Sequence, residues 1–244
     1  MKHKAYIRES PKARQAVLMI HGICSTPRHF DWLIPEFDDS WSVYNILLDG
    51  HGGTVKDFAS TSMKAWKAQV HAILDDLCSR YDRLLLVGYS MGTLLSIEAL
   101  PHYPNITGLF LLNPPMRPWV RRTMVARSLR MIRGKLCMDN PHEAASAEDI
   151  SITLTANPLH YLGWIPRFWE LLVLCRHCRR HADSISIPCH AFLGRLDELV
   201  SLRSARYFQQ PNTTLHILDD AGHFYLPPEA KSHVLESLRA MLDT

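Results

Sequence analysis

Short, unbroken apolar runs alternate along this chain with stretches whose apolar residues recur every three or four positions. Residues 16–20 (Ala-Val-Leu-Met-Ile), 43–48, 84–87 and 106–112 read as strands buried on both faces, because strands with one wet face would alternate instead. Between them, residues 25–37 place Phe30, Leu33, Ile34 and Phe37 at helical spacing. Residues 62–81 do the same with Trp66, Val70, Ile73, Leu74 and Leu77, as do residues after 90 with Leu94, Leu95, Ile97 and Leu100. Strand–helix alternation of this kind predicts an α/β fold, a mainly parallel central sheet with helices on both faces. Ligands bind such sheets beyond the carboxyl ends of the strands, so the loops after Ile20, Leu48, Val87 and Leu112 are expected to share one rim.

The alternation stops at Pro115. Residues 115–186 carry arginines at 117, 121, 122, 127, 130 and 133 and tryptophans at 119, 164 and 169, with no strand pattern. They read as a helical cap inserted into a core made of residues 1–114 and 187–244. The core pattern resumes with strands at 189–193 and 214–218, a short helix at 201–209 and a final helix at 229–242. The basic residues 117–133 alternate with Trp119, Val120, Met124, Val125, Leu129, Met131 and Ile132. This is an amphipathic helix with a solvated basic face; contact between it and a membrane surface stays open but is not expected.

The sharpest local signal is Gly88-Tyr89-Ser90-Met91-Gly92, lying directly between an apolar strand and a helix. In that context the pentapeptide places a serine hydroxyl on a strained turn, with small residues two before and two after it so that strand and helix can approach. A serine needs a base within hydrogen-bond reach, and the base needs an anion to fix its tautomer. His223, in Asp219-Asp220-Ala221-Gly222-His223, and Asp197, in Gly194-Arg195-Leu196-Asp197, each follow a strand. Glu198, Asp219 and Asp220 are the rival acids. Two N–H groups must also meet the developing oxyanion. Met91 N–H follows the nucleophile, and Ile23 N–H lies in the early loop His21-Gly22-Ile23. Cys24 beside it is expected either to narrow the acyl pocket or to make the site thiol-sensitive. His51, in the glycine loop 49–53, either lines the site or holds that loop.

Composition changes little. A net charge of +3 over 244 residues gives no argument for nucleic acid. The N-terminal residues carry charges throughout and no apolar run, so they predict neither a signal peptide nor a membrane span. Six scattered cysteines are expected to be reduced, pointing to the cytoplasm. Cys175 and Cys178 with His181 have the look of half a metal site without its second pair, so no metal and no cofactor are expected.

Together, strand-His-Gly-Ile, Leu-Asp-Gly-His-Gly-Gly, Gly-Tyr-Ser-Met-Gly, Gly-Arg-Leu-Asp-Glu-Leu-Val and Ala-Gly-His resemble the α/β-hydrolase superfamily, most closely its compact bacterial carboxylesterases and monoacylglycerol lipases. The resemblance runs from about residue 16 to the end, excluding the cap. It implies Ser90 as nucleophile, Asp197 as acid, His223 as base, and the backbone of Ile23 and Met91 as the oxyanion hole. Relatives often carry glycine where Thr93 stands, and small or polar residues where Cys24 stands. The expected activity is hydrolysis of a small-molecule carboxylic ester, extending to acylglycerols. Cap residues Trp119, Trp164 and Phe168, with Cys24 and His51, are expected to bind substrate. Thioester or carbon–carbon bond hydrolysis with the same triad, and a non-catalytic ligand receptor on this fold, are the alternatives. The sequence sets no oligomeric state.

Overall fold

A computed structural model describes residues 3–243. Seven strands form one sheet: β1 (Tyr6–Arg8), β2 (Gln15–Ile20), β3 (Trp41–Ile46), β4 (Arg83–Tyr89), β5 (Ile106–Leu112), β6 (Cys189–Gly194) and β7 (Thr213–Leu218). Their order is β1-β3-β2-β4-β5-β6-β7, with β1 antiparallel to β3 and every other pair parallel. This is the α/β-hydrolase fold. Strand β2 shows why its run is unbroken. Ala16, Leu18 and Ile20 enter a core shared with α2 (Met63–Arg80) and α3 (Met91–Ala99), while Val17 and Met19 enter a second core shared with α7 (Pro228–Leu242). Both faces of the sheet are dry, so every position must be apolar.

Four elements differ from the sequence reading. Residues 25–37 form no α-helix but two 3-10 turns, Pro27–Phe30 and Ile34–Glu36. Pro35 supplies no backbone donor and its ring would clash one turn back, so an α-helix cannot run through it. Phe30, Leu33 and Phe37 are buried all the same. Residues 202–207 are likewise a 3-10 helix. The edge strand β1 was not expected from its sequence: three residues, with Tyr6 and Ile7 exposed, carry too little apolar pattern to be read. A short helix, α1 (Val55–Ser60), is also new, started by a capping box between Thr54 and Asp57.

Between β5 and β6 the chain forms α4 (Arg122–Ile132), α5 (Pro141–Asp149) and α6 (Trp164–His181). Leu174, Cys175 and Cys178 of α6 pack into the core beside α3, and the Cys178 thiol donates to Leu94 O at 3.3 Å. The cysteine pair is therefore packing; among the described residues no cluster of His, Cys, Asp or Glu is arranged to hold a metal. Also among the described residues, no helix is long and apolar enough to cross a membrane.

The β4–α3 turn carries Ser90 at φ 50°, ψ −116°. Its glycines are demanded by space. A Cβ on Gly92 would lie 1.8 Å from Ile20 O, and one on Gly88 would lie 2.6 Å from the backbone N and Cα of Thr93. Thr93, where relatives often carry glycine, donates its hydroxyl to Ser90 O at 2.6 Å and so closes the turn. Because the new Cβ would meet a backbone carbonyl that cannot turn aside, Gly92→Ala is expected to cost about 3 kcal/mol or more. Gly134→Ala, whose Cβ meets nothing within 4 Å, is expected to cost roughly 1 kcal/mol through its positive φ alone. Urea unfolding of the two variants checks the difference.

Candidate active site

The carboxyl ends of β4, β6 and β7 bring three distant side chains into one line. Ser90 Oγ lies 3.1 Å from His223 Nε2, and His223 Nδ1 lies 2.8 Å from Asp197 Oδ2. All three are buried. The other carboxylate oxygen, Asp197 Oδ1, accepts the N–H groups of Leu199 and Val200, each at 2.7 Å. An ionised carboxylate only accepts, so Nδ1 carries the proton and Nε2 presents its lone pair to the serine hydroxyl. The rival acids lie elsewhere. Asp219 pairs with Arg195 at the surface, Asp220 is exposed, and Glu198 holds the backbone of His223 instead of its ring.

Two residues that local sequence did not single out fix the histidine loop. Tyr89 Oη and Asn113 Nδ2 both donate to His223 O, at 3.0 and 3.1 Å, and Asn113 Oδ1 accepts Gly194 N–H. Asn113 adopts φ 51° to do so. An asparagine closing a strand was visible in the sequence, but its partner 110 residues away was not.

His51 is buried. Its Nε2 accepts Cys24 N–H at 3.1 Å and its Nδ1–H donates to Asp49 O. Burial lowers its pKa to about 4, so it is neutral, as those two bonds require. His21 is also neutral, its pKa lowered first by burial and then by the facing His51. It donates to Gly22 O and accepts Leu48 N–H. The pair braces residues 22–24, with Gly22 close against Ser90: a Cβ there would lie 3.0 Å from Ser90 Cβ. His51 thus bonds the backbone of both its own glycine loop, at Asp49, and the loop of Ile23, at Cys24.

A cavity of about 380 Å³ begins at Ile23 and Cys24 and runs between α4 and α6. Met124, Trp164, Phe168 and Phe224 form much of its apolar wall. Trp164 also ties α6 to the core, donating to Val55 O at 3.0 Å and packing on Phe58. Trp119 is outside this wall: it is partly exposed, with the Arg121 guanidinium 4.7 Å above its ring.

The inserted helices also reach the histidine loop. Arg127 of α4 is buried, contrary to a solvated basic face, and its Nη2 donates to Glu198 Oε1 at 2.6 Å. Glu198 Oε2 accepts His223 N–H at 3.1 Å. A buried cation and anion meet here; Arg127 Nη1 also donates to the Ser146 hydroxyl at 3.1 Å, while its buried Nε has no partner among the described residues.

The model of the serine aminopeptidase S33 family matches residues 11–226. The chain belongs to this family. Within 98 residues this S33 hydrolase is 30% identical to the thermostable monoacylglycerol lipase of Bacillus sp. (strain H-257), a match spanning 40% of this chain and 39% of that protein. Among solved structures it is similar to the metagenome-derived lipolytic enzymes LipS and LipT (TM-score 0.74, 19% identity, 100% of this chain and 98% of the other). It is also similar to the monoacylglycerol lipase of Paleococcus ferrophilus (TM-score 0.70, 20% identity, 99% and 98%). At such identities the structural likenesses bear on the fold.

Burial alone would lower the His223 pKa, but the Asp197 charge and hydrogen bond, with Asp149 and Glu198 behind them, raise it above 6.5. The imidazolium is thus favoured up to a higher pH than in water. Glu198→Gln removes a negative charge facing it and is expected to move the His223 midpoint to lower pH. Arg127→Met leaves Glu198 uncompensated and is expected to move it higher. NMR titration of the His223 ring protons in both variants checks the two opposite signs.

Proposed function

We propose that this S33 hydrolase is a serine carboxylic-ester hydrolase of monoacylglycerol-lipase type, in which residues 1–114 and 187–244 carry the chemistry and the cap, residues 115–186, encloses the acyl chain. One observation carries the reading: the Ser90–His223–Asp197 line, at 3.1 and 2.8 Å, stands beside the loop from which an apolar cavity opens. Ser90 Oγ attacks the ester carbonyl as His223 Nε2 takes its proton, and Asp197 stabilises the imidazolium. The N–H groups of Ile23 and Met91 receive the oxyanion. Support for Ile23 is that His51 occupies the next donor, Cys24 N–H, and braces the loop. Met91 opens α3, where N–H groups lack helical acceptors. His223 then protonates the leaving alcohol, and water activated in the same way releases the acid.

An ester of a medium or long apolar acid suits the cavity wall. Asp149 lines that wall, and a carboxylate oxygen there suits a hydroxyl of the alcohol. The same oxygen would suit a substrate ammonium, so amino-acid anilides belong in the substrate panel. Faster turnover of these than of esters would replace the esterase reading with an aminopeptidase one. All six cysteines are unpaired, which supports action in a reducing compartment such as the cytoplasm.

Ser90→Ala is expected to lower ester turnover by on the order of 10⁶ and Asp197→Asn by on the order of 10⁴, with the fold retained. Asp220→Asn is expected to cost far less. Steady-state kinetics with peptide mapping of a fluorophosphonate adduct tests this; an adduct elsewhere than Ser90 would overturn the assignment.

Phe168→Ala is expected to shift the dependence of kcat/KM on acyl chain length, since each buried methylene is worth up to ~0.8 kcal/mol, roughly fourfold. Trp119→Ala, outside the wall, is expected to leave it unchanged. An ester series of rising chain length decides between them.

A further inference from the structure

Asp149 is the last residue of α5, where the helix dipole disfavours a carboxylate, and it is buried there. Its place is therefore set by tertiary partners. Two donors reach the same oxygen: the Ser25 hydroxyl lies 2.9 Å and His29 Nδ1 2.8 Å from Asp149 Oδ1. His29 belongs to the 3-10 turn Pro27–Phe30, which Pro27 and the Thr26 side chain open. Its side chain is 7% exposed and that of Asp149 6%. A carboxylate only accepts, so the bond fixes the His29 proton on Nδ1. The other ring nitrogen, Nε2, is buried with no hydrogen-bond partner among the described residues. The ring also lies flat on Tyr89, with centroids 3.5 Å and planes 14° apart. Tyr89 precedes Ser90 and donates to His223 O. One imidazole thus joins the strand end that carries Ser90 to the carboxylate that holds the loop of Ile23.

A phenyl ring would fill the same space on Tyr89 without burying Nε2 unpaired. What the imidazole adds is the Nδ1 donor. Without it, a buried carboxylate at a helix C-terminus keeps the Ser25 hydroxyl alone, and an under-bonded charge in a dry site moves to find other donors. Ser25 moves with it. Ser25 N–H bonds Gly22 O at 3.2 Å across Ile23, so the shift passes to the Ile23 backbone. We infer that His29 is a positioning residue: through Asp149 and Ser25 it fixes the loop whose Ile23 N–H is the second donor to the oxyanion. This rests on the ester-hydrolase reading of Ser90 and adds the residue that sets its oxyanion geometry. An oxyanion donor acts on charge that develops in the transition state, so its displacement falls on kcat rather than KM.

Two variants separate the donor from the ring. His29→Phe keeps a flat ring against Tyr89 and removes the donor; His29→Asn puts an amide N–H where Nδ1–H stood and removes the ring. With a short, water-soluble ester, His29→Phe is expected to lower kcat by about 10- to 100-fold, with KM changed by less than about threefold. His29→Asn is expected to keep kcat within about threefold of the unaltered chain. Ser25→Ala combined with His29→Phe is expected to lower kcat no further than the worse of the two alone, because both act through one carboxylate. Backbone hydrogen exchange at Cys24 and Ser25, read without substrate, is expected to be about tenfold faster or more in His29→Phe and near its original rate in His29→Asn. Equal kcat in the two variants would overturn the proposal and leave His29 as packing. So would unchanged exchange at Cys24 and Ser25 in His29→Phe. An unaltered chain that hydrolyses no ester would overturn the reading of Ser90 instead, and the exchange rates would still decide whether His29 holds the loop.

Discussion

One backbone-to-backbone approach sets the geometry of the site. The start of α3 lies so close to the end of β2 that Gly92 has no room for a Cβ beside Ile20 O. That approach forces the chain at Ser90 into φ 50°, a conformation an L-residue adopts only when its surroundings hold it there. Ser90 N–H reaches Leu112 O at 2.9 Å, and Thr93 holds Ser90 O from the other side. The strained turn lifts the hydroxyl out of the sheet and points the first N–H groups of α3 at the same space. Side chains from β6 and β7 need only reach that point.

The loops that reach it are held by groups from the inserted segment as well as from the core. Ser151 N–H donates to Cys24 O at 2.9 Å, and the Ser25 hydroxyl donates to Asp149 at 2.9 Å, so the end of α5 and the residues just after it clamp the loop of Ile23. On the opposite side, Arg127 reaches the His223 loop through Glu198. Both clamps are buried and polar. Their strength comes from low local dielectric, and so does the cost of leaving either half unpaired. A rigid rotation of the helices would therefore disturb the two loops together, which ties the cavity wall to the geometry at Ser90.

His21 and His51 follow a related logic. Each is kept neutral by burial, and each uses one nitrogen as donor and the other as acceptor to backbone. A protonated ring would lose its acceptor and release an N–H of the loop it braces. His223, in contrast, faces three carboxylates and holds its proton more readily than in water. Similar side chains serve opposite ends because Asp197 stands at one ring and only backbone at the others.

Local sequence by itself determined six of the seven strands and the serine turn, and placed Asp197 and His223 after strands as candidates. Unbroken apolar runs suit only a sheet dry on both faces, and Gly-x-Ser-x-Gly between strand and helix suits only a turn without side-chain room. It failed where the cause was not local. Pro35 overrode a helical apolar spacing in residues 27–36, and β1, with two of its three residues exposed, is held by pairing with β3 rather than by its own pattern. Tertiary structure alone decided that Arg127 is buried against Glu198, that His51 holds a backbone donor, that Trp119 stands outside the cavity wall, and that Trp164 and Phe168 stand inside it. The placing of Arg127, His51 and Trp164 depends on partners brought close from dozens of residues away, and the composition of a helix records its stripes without recording which neighbour covers them.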